Sequence, residues 1–183
     1  SPGEARQLIY RTDRYLPHDI ALYDIRPVRE EAHARFSATS RTYRYYVTLR
    51  KDPFQEVRML RLYFPLDFDR MNEAAGRLKD FTDFTSFSKL HTDVKTNNCR
   101  VTEAYWQAGV EEGQWIFTIT ADRFLRNMVR AVVGTLFQVG KGRLSVEDFC
   151  AVIEAKDRGQ AGSSAPAHAL YLEQVGYPED LYL

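Results

Sequence analysis

The chain has 183 residues, 44% of them hydrophobic and 13% aromatic, enough for one generous domain with a real core and too apolar for a disordered or low-complexity protein. Its 25 Lys and Arg balance 25 Asp and Glu, which argues weakly against a nucleic-acid partner unless the basic residues cluster. Two cysteines (Cys99, Cys150) form no disulfide framework, four histidines show no metal-ligand spacing, and no apolar run approaches the roughly 18 residues of a membrane span. That cysteine usage fits a reducing compartment.

Residues Glu4 to Tyr15 read as the tail of a helix, stopped at Leu16-Pro17 because the residue before proline avoids the α region. With the opening Ser1-Pro2-Gly3, this stub leads us to expect that the chain is part of something longer. Ile20 to Val28 is β-rich, with Ile20 and Leu22 expected inward and Ile25 a third candidate. From Thr42 to Leu49 the alternation is clean: Tyr43, Tyr45, Val47 and Leu49 share one face, and Thr42, Arg44, Tyr46 and Thr48 the other. Asp67 is expected to cap a helix through about Lys79, with Met71, Ala74, Ala75 and Leu78 on its apolar face. Arg100 to Val110 and Gln114 to Ala121 read as a hairpin around Glu111-Glu112-Gly113.

A helix is predicted from Phe124 to about Val139, ended by Gly140. Ser145 and Asp148 form a capping-box-like start for a last helix reaching about Lys156. A small-residue loop, Gly159 to Ala167, precedes a closing strand from Leu170 to Val175. No internal repeat and no interdomain linker stands out, so residues 1–183 are expected to form a single domain. Hairpin-ordered strands interrupted by helices indicate an α+β fold, an antiparallel (mixed) sheet flanked by helices, and the Gly-rich phosphate fingerprints are absent.

Four segments carry chemistry-bearing residues. In His33 to Tyr45, Arg35, Arg41 and Arg44 interleave with aromatics and hydroxyls, a mix that holds phosphates by charge and bases by stacking; the alternative is a solvated strand edge. In Arg123 to Arg130, helical spacing would place Arg123, Asn127 and Arg130 on one face, with Arg126 a turn before Arg130. Apolar flanks (Met128, Val129, Val132, Val133) sink the Arg130 guanidinium, which then calls for an anionic partner; a snorkelling surface arginine is the alternative. Phe84 to Lys89 and Pro166 to Leu172 are weaker signals, each readable as loop plus core, although Leu170 can also wall a pocket.

Taken together and in order, these segments resemble the TruA family of tRNA pseudouridine synthases. The likeness runs through Leu16-Pro17-His18-Asp19-Ile20, His33 to Tyr45, Asp83 to Phe87, Asn127 to Arg130 with Gly134, Ala155-Lys156-Asp157-Arg158 and Pro166 to Leu172. It implies conversion of uridine to pseudouridine in the anticodon stem-loop (uridines 38–40) of tRNA, with no metal or organic cofactor, by a cytoplasmic homodimer that does not engage a membrane. By this resemblance Tyr43 is the active-site tyrosine, Arg130 pairs with the catalytic aspartate, and Leu170 walls the uracil pocket. Arg35, Arg41, Arg44, Lys89, Arg126 and Asn127 are implied contacts to phosphates or bases.

The family's nucleophile lies in an Arg-Thr-Asp-x-Gly-Val-His motif. Arg11-Thr12-Asp13 is present but continues Arg14-Tyr15-Leu16-Pro17, directly against an element that in the family follows much later. Asp13 is therefore not expected to be the nucleophile, which is expected upstream of Ser1, leaving this chain inactive on its own. Two departures are local: Ala169 stands where glycine is common, and Asp80-Phe81-Thr82-Asp83 replaces a more Gly- and His- or Asn-like entry to the Asp-Phe element. A non-catalytic RNA-binding module with the same fold, or a dimerising structural domain, remains the competing reading.

Overall fold

The computed structural model describes residues 2–55, 57–89 and 96–183. The chain forms two compact units, Ser1–Ser37 with Tyr177–Leu183, and Ala38–Gly176.

In the first unit, α1 (Pro2–Asp13) is closed by the Tyr15 amide bonding to the Thr12 carbonyl. The stretch from Ile20 to Val28, expected as a strand, pairs only through one antiparallel bridge between Val28 and Tyr182. Ile20, Ile25 and Val28 stay exposed, and only Leu22 is half-buried. The reason lies in a donor: Pro27, next to the bridge, accepts the Leu183 amide but carries no N–H with which to extend a ladder. His33 Nδ1 accepts the Arg35 and Phe36 amides at 3.0 and 3.2 Å, so this histidine organises a turn.

The second unit is an α+β layer. Its mixed five-stranded sheet comprises β1 (Ser40–Thr48), β2 (Leu60–Arg61), β3 (Val101–Ala108), β4 (Gln114–Ala121) and β5 (Leu170–Gly176). Central β1 runs antiparallel to β4 along one edge; on the other edge it meets β5 antiparallel and the short β2 in parallel. The hairpin β3–β4 turns at Gly113, whose φ of +82° is the left-handed value that a glycine takes without strain.

Alternation along β1 works as read: Tyr45 and Val47 are fully buried on one face, packed with Phe117, Ile119 and Trp106. Against that face lie α2 (Phe68–Arg77), α3 (Met128–Gly140) and α4 (Val146–Glu154); Phe68 stacks on Trp115 at 3.9 Å and Phe137 meets Tyr45 edge-on. Asp67 caps α2 by accepting the Arg70 amide, and Ser145 with Asp148 forms a complete capping box on α4.

One boundary of α3 differs from expectation. The helix starts at Met128, not Phe124, because Asn127 sits at φ 70°, a left-handed conformation that no helix interior accepts. Arg123, Asn127 and Arg130 therefore do not share a helical face. At the other end the helix stops at Gly140 as expected; a Cβ there would lie 2.4 Å from Met71 Sδ, and Gly142 at φ +69° makes the turn that follows.

Two β-bulges lie at one end of the sheet. Between Thr42 and Tyr43 the register with β5 jumps from Gln174 to Leu172, leaving Glu173 as the extra residue; on β3, Thr102 is extra between Val101 and Glu103.

Candidate active site

Tyr43 follows the first bulge directly, on the face that carries Tyr45 and, across β5, Leu170 and Leu172. Its half-buried ring meets Phe124 edge-on at 5.1 Å. Phe124 belongs to the irregular segment before α3, so the left-handed Asn127 that shortens the helix also frees this aromatic to reach β1. Arg41, on the same face, donates from Nη1 to the Asp122 and Ala38 carbonyls at 2.6 and 3.1 Å, tying β1 to the start of that segment.

Arg130 occupies the first turn of α3 and is half-buried. Its Nε donates to the Ala165 carbonyl at 2.6 Å, while the Ala165 amide returns a bond to the Arg130 carbonyl at 2.9 Å. No carboxylate among the described residues lies within 4.0 Å of its guanidinium. The aromatic that senses this charge is Tyr45, two residues beyond Tyr43. Burial pushes the Tyr45 phenol far up and the Arg130 cation pulls it part-way back. The Tyr45 hydroxyl donates to the Pro166 carbonyl at 2.9 Å, so both groups end on adjacent carbonyls of one segment. Tyr45 had no assigned role in the sequence; its place two residues from Tyr43 on one strand face was the available signal.

The remaining candidates separate. Asn127 Nδ2 donates to Ser164 Oγ at 2.6 Å. Lys89 and Arg126 are both exposed and joined through backbone, the Lys89 amide bonding to the Arg126 carbonyl at 3.1 Å, so two cations share a rim. Arg44 points to the opposite face of the sheet, where Nη1 pairs with Glu173 Oε1 at 2.8 Å, and Tyr46 and then Glu173 favour its charged form. Arg35 belongs to the first unit, where its guanidinium lies 5.7 Å from the Phe36 ring centroid. Asp13, also there, accepts the Leu22 amide at 3.0 Å.

No group of three His, Cys, Asp or Glu among the described residues is placed to hold a metal ion; His91 lies outside them. No described helix is long and apolar enough to cross a membrane.

A family model described as tRNA pseudouridine synthase matches residues 77–178. Over 183 residues, all of this chain and 73% of the relative, the chain is 64% identical to a tRNA pseudouridine synthase A of Porphyromonas gingivalis. The chain belongs to the tRNA pseudouridine synthase family. A relative of the same name from Parabacteroides distasonis is 60% identical over 181 residues, 98% of this chain and 71% of its own. One from Bacillus velezensis is 39% identical over 178 residues, 96% of this chain and 70% of its own. Arg130, Leu170, Lys89, Arg126 and Asn127 fall inside the stretch matched to the pseudouridine synthase family; Tyr43 and Arg41 precede it.

Proposed function

We propose that this protein is the isomerase that converts uridine to pseudouridine in tRNA, with Arg130 and Tyr43 at its catalytic centre. The observation that carries the reading is electrostatic. A half-buried guanidinium sits in the first turn of a 13-residue helix, where the macrodipole already disfavours a cation. Its Nε is spent on a neutral carbonyl, which leaves the terminal edge of the fork to meet an anion. A nucleophilic carboxylate is the anion that the chemistry needs, and a cation beside it lowers its pKa by roughly 1–3 units, keeping it ionised.

The reaction rearranges one nucleoside without oxidation or reduction. A carboxylate oxygen bonds to the nucleoside, the C1′–N1 bond breaks, the freed uracil turns, C1′–C5 forms, and the bond to the carboxylate is released. C5 then loses its proton and N1 gains one. A detached uracil must be kept from drifting, and that is the role of Tyr43 by stacking and of Leu170 as an apolar wall. The target base has to leave its stack, which favours a rim that grips phosphates; Lys89 and Arg126 suit it.

On this reading the substrate site is the anticodon arm, the enzyme works as a homodimer in the cytoplasm, and Asp13, holding the Leu22 amide, is not the nucleophile. Incubation with a tRNA transcript and counting of pseudouridine tests the assignment. Arg130→Gln in the full-length protein should abolish product while leaving the fold intact. Turnover that survives this change, or that Asp13→Asn abolishes, would overturn it.

A further inference from the structure

Resting on the reading of Arg130 as the active-site cation, we propose that Arg158 is a positioning residue that fixes Arg130 through the backbone strap 161–166. Three acceptors in that strap take its guanidinium: Nη1 donates to the Ala161 and Gly162 carbonyls at 3.4 and 3.2 Å, and Nη2 to Ser164 Oγ at 3.0 Å. The strap is bound to α3 along its length. The Gly162 amide donates to Thr135 Oγ1 at 2.9 Å, Asn127 Nδ2 to Ser164 Oγ at 2.6 Å, and Ala165 exchanges two bonds with Arg130. The Tyr45 hydroxyl closes the far end at Pro166.

Arg158 is itself rooted in the body of the unit. Lys156 Nζ pairs with Asp83 Oδ2 at 3.0 Å, and the Asp157 amide donates to Ser86 Oγ, whose hydroxyl donates to the Val152 carbonyl at 2.6 Å. Rigid neighbours on both sides make the strap a template, and the Ala165 carbonyl is the atom that aims the Arg130 fork. A planar fork with fixed donors suits a three-acceptor clamp in a way an ammonium does not. With those donors committed, Arg158 is poorly suited to grip a phosphate.

The test uses the full-length enzyme with a tRNA transcript. Arg158→Gln should lower kcat about 10- to 100-fold with KM within about twofold, the cost expected of a small misplacement, and Arg158→Lys should recover little of it. In an Arg130→Lys background, Arg158→Gln should change kcat less than about twofold, because both act through one group. Independently of activity, the Arg130 Nε–H resonance, assigned by its loss in Arg130→Gln, should shift and exchange faster in Arg158→Gln. Ser164→Ala, which removes a single acceptor, serves the same readouts should Arg158→Gln fail to fold. A rise in KM at constant kcat, additive losses, or an unmoved Arg130 resonance overturns the proposal. Absence of pseudouridine with the unaltered enzyme would instead refute the function itself, while the resonance measurement still judges the strap.

Discussion

Gly134 faces the strap where two backbones nearly touch. A Cβ built there would lie 1.8 Å from the Ser163 carbonyl oxygen and 2.9 Å from its carbon. Because real Cβ contacts are essentially never shorter than 3.0 Å, Gly134→Ala must drive the strap back by about 1.2 Å or more. Overpacking of this kind costs about 1–3 kcal/mol. The three bonds joining the strap to Thr135 and Arg130 weaken as well, at about 1 kcal/mol each, while alanine's helix propensity returns about 1 kcal/mol. The net loss is about 3–5 kcal/mol, or roughly 6–20 °C of Tm for a chain of this size. Calorimetry on the full-length enzyme, paired with a pseudouridine assay, should show that drop together with a fall in kcat of at least about tenfold. A variant melting within 2 °C of the parent, or fully active, would refute the reasoning that the crossing is rigid.

Three further outcomes are expected. Asn72 brackets the edge strand, its Nδ2 donating to the Trp106 carbonyl at 3.0 Å and its Oδ1 accepting the Trp106 amide at 2.6 Å; Asn72→Ala should cost about 1–3 kcal/mol in urea denaturation, with little effect on KM. Asp83 is held below its ordinary pKa of 3.8, first by the Thr85 hydroxyl and then by Lys156. Its stabilising effect is therefore complete above that value and lost as pH falls below it, so the Tm gap between the parent and Asp83→Asn should be full at about pH 5 and narrow as pH falls below 3.8. A constant gap would count against the ion pair. Burial raises the Cys99 thiol to about 11, so Cys99 should resist iodoacetamide at pH 8 until the protein is unfolded, as mass spectrometry would show.

Much of the second unit was legible because its signals are local. The β1 alternation put Tyr43 and Arg44 on opposite faces, and Ser145 with Asp148 carried a helix start in four residues. What escaped depends on distant partners. The apolar stripe running back to Phe124 looked helical, and the left-handed turn that cuts it short comes with bonds to distant partners, from Asn127 to Ser164, 37 residues away, and from the Lys89 amide to the Arg126 carbonyl. Likewise Ile20 to Val28 has strand-like residues but no ladder to join. Within the site, Arg130 was readable from its apolar flanks, whereas Arg158 lies at the start of a small-residue loop whose value emerges only when that loop crosses α3.

The extra residue at Glu173 has a consequence for how this strand can vary in length. On one side of it Leu170 and Leu172 face Tyr45 and Tyr43; on the other Gln174 and Gly176 face Thr42 and Ser40. Removing that single residue would splice two segments already in step, whereas a deletion elsewhere between 170 and 176 would turn inward-facing side chains outward. The bulge is thus the one place along β5 where a shorter sequence still fits, with Arg44 losing its counter-ion as the cost.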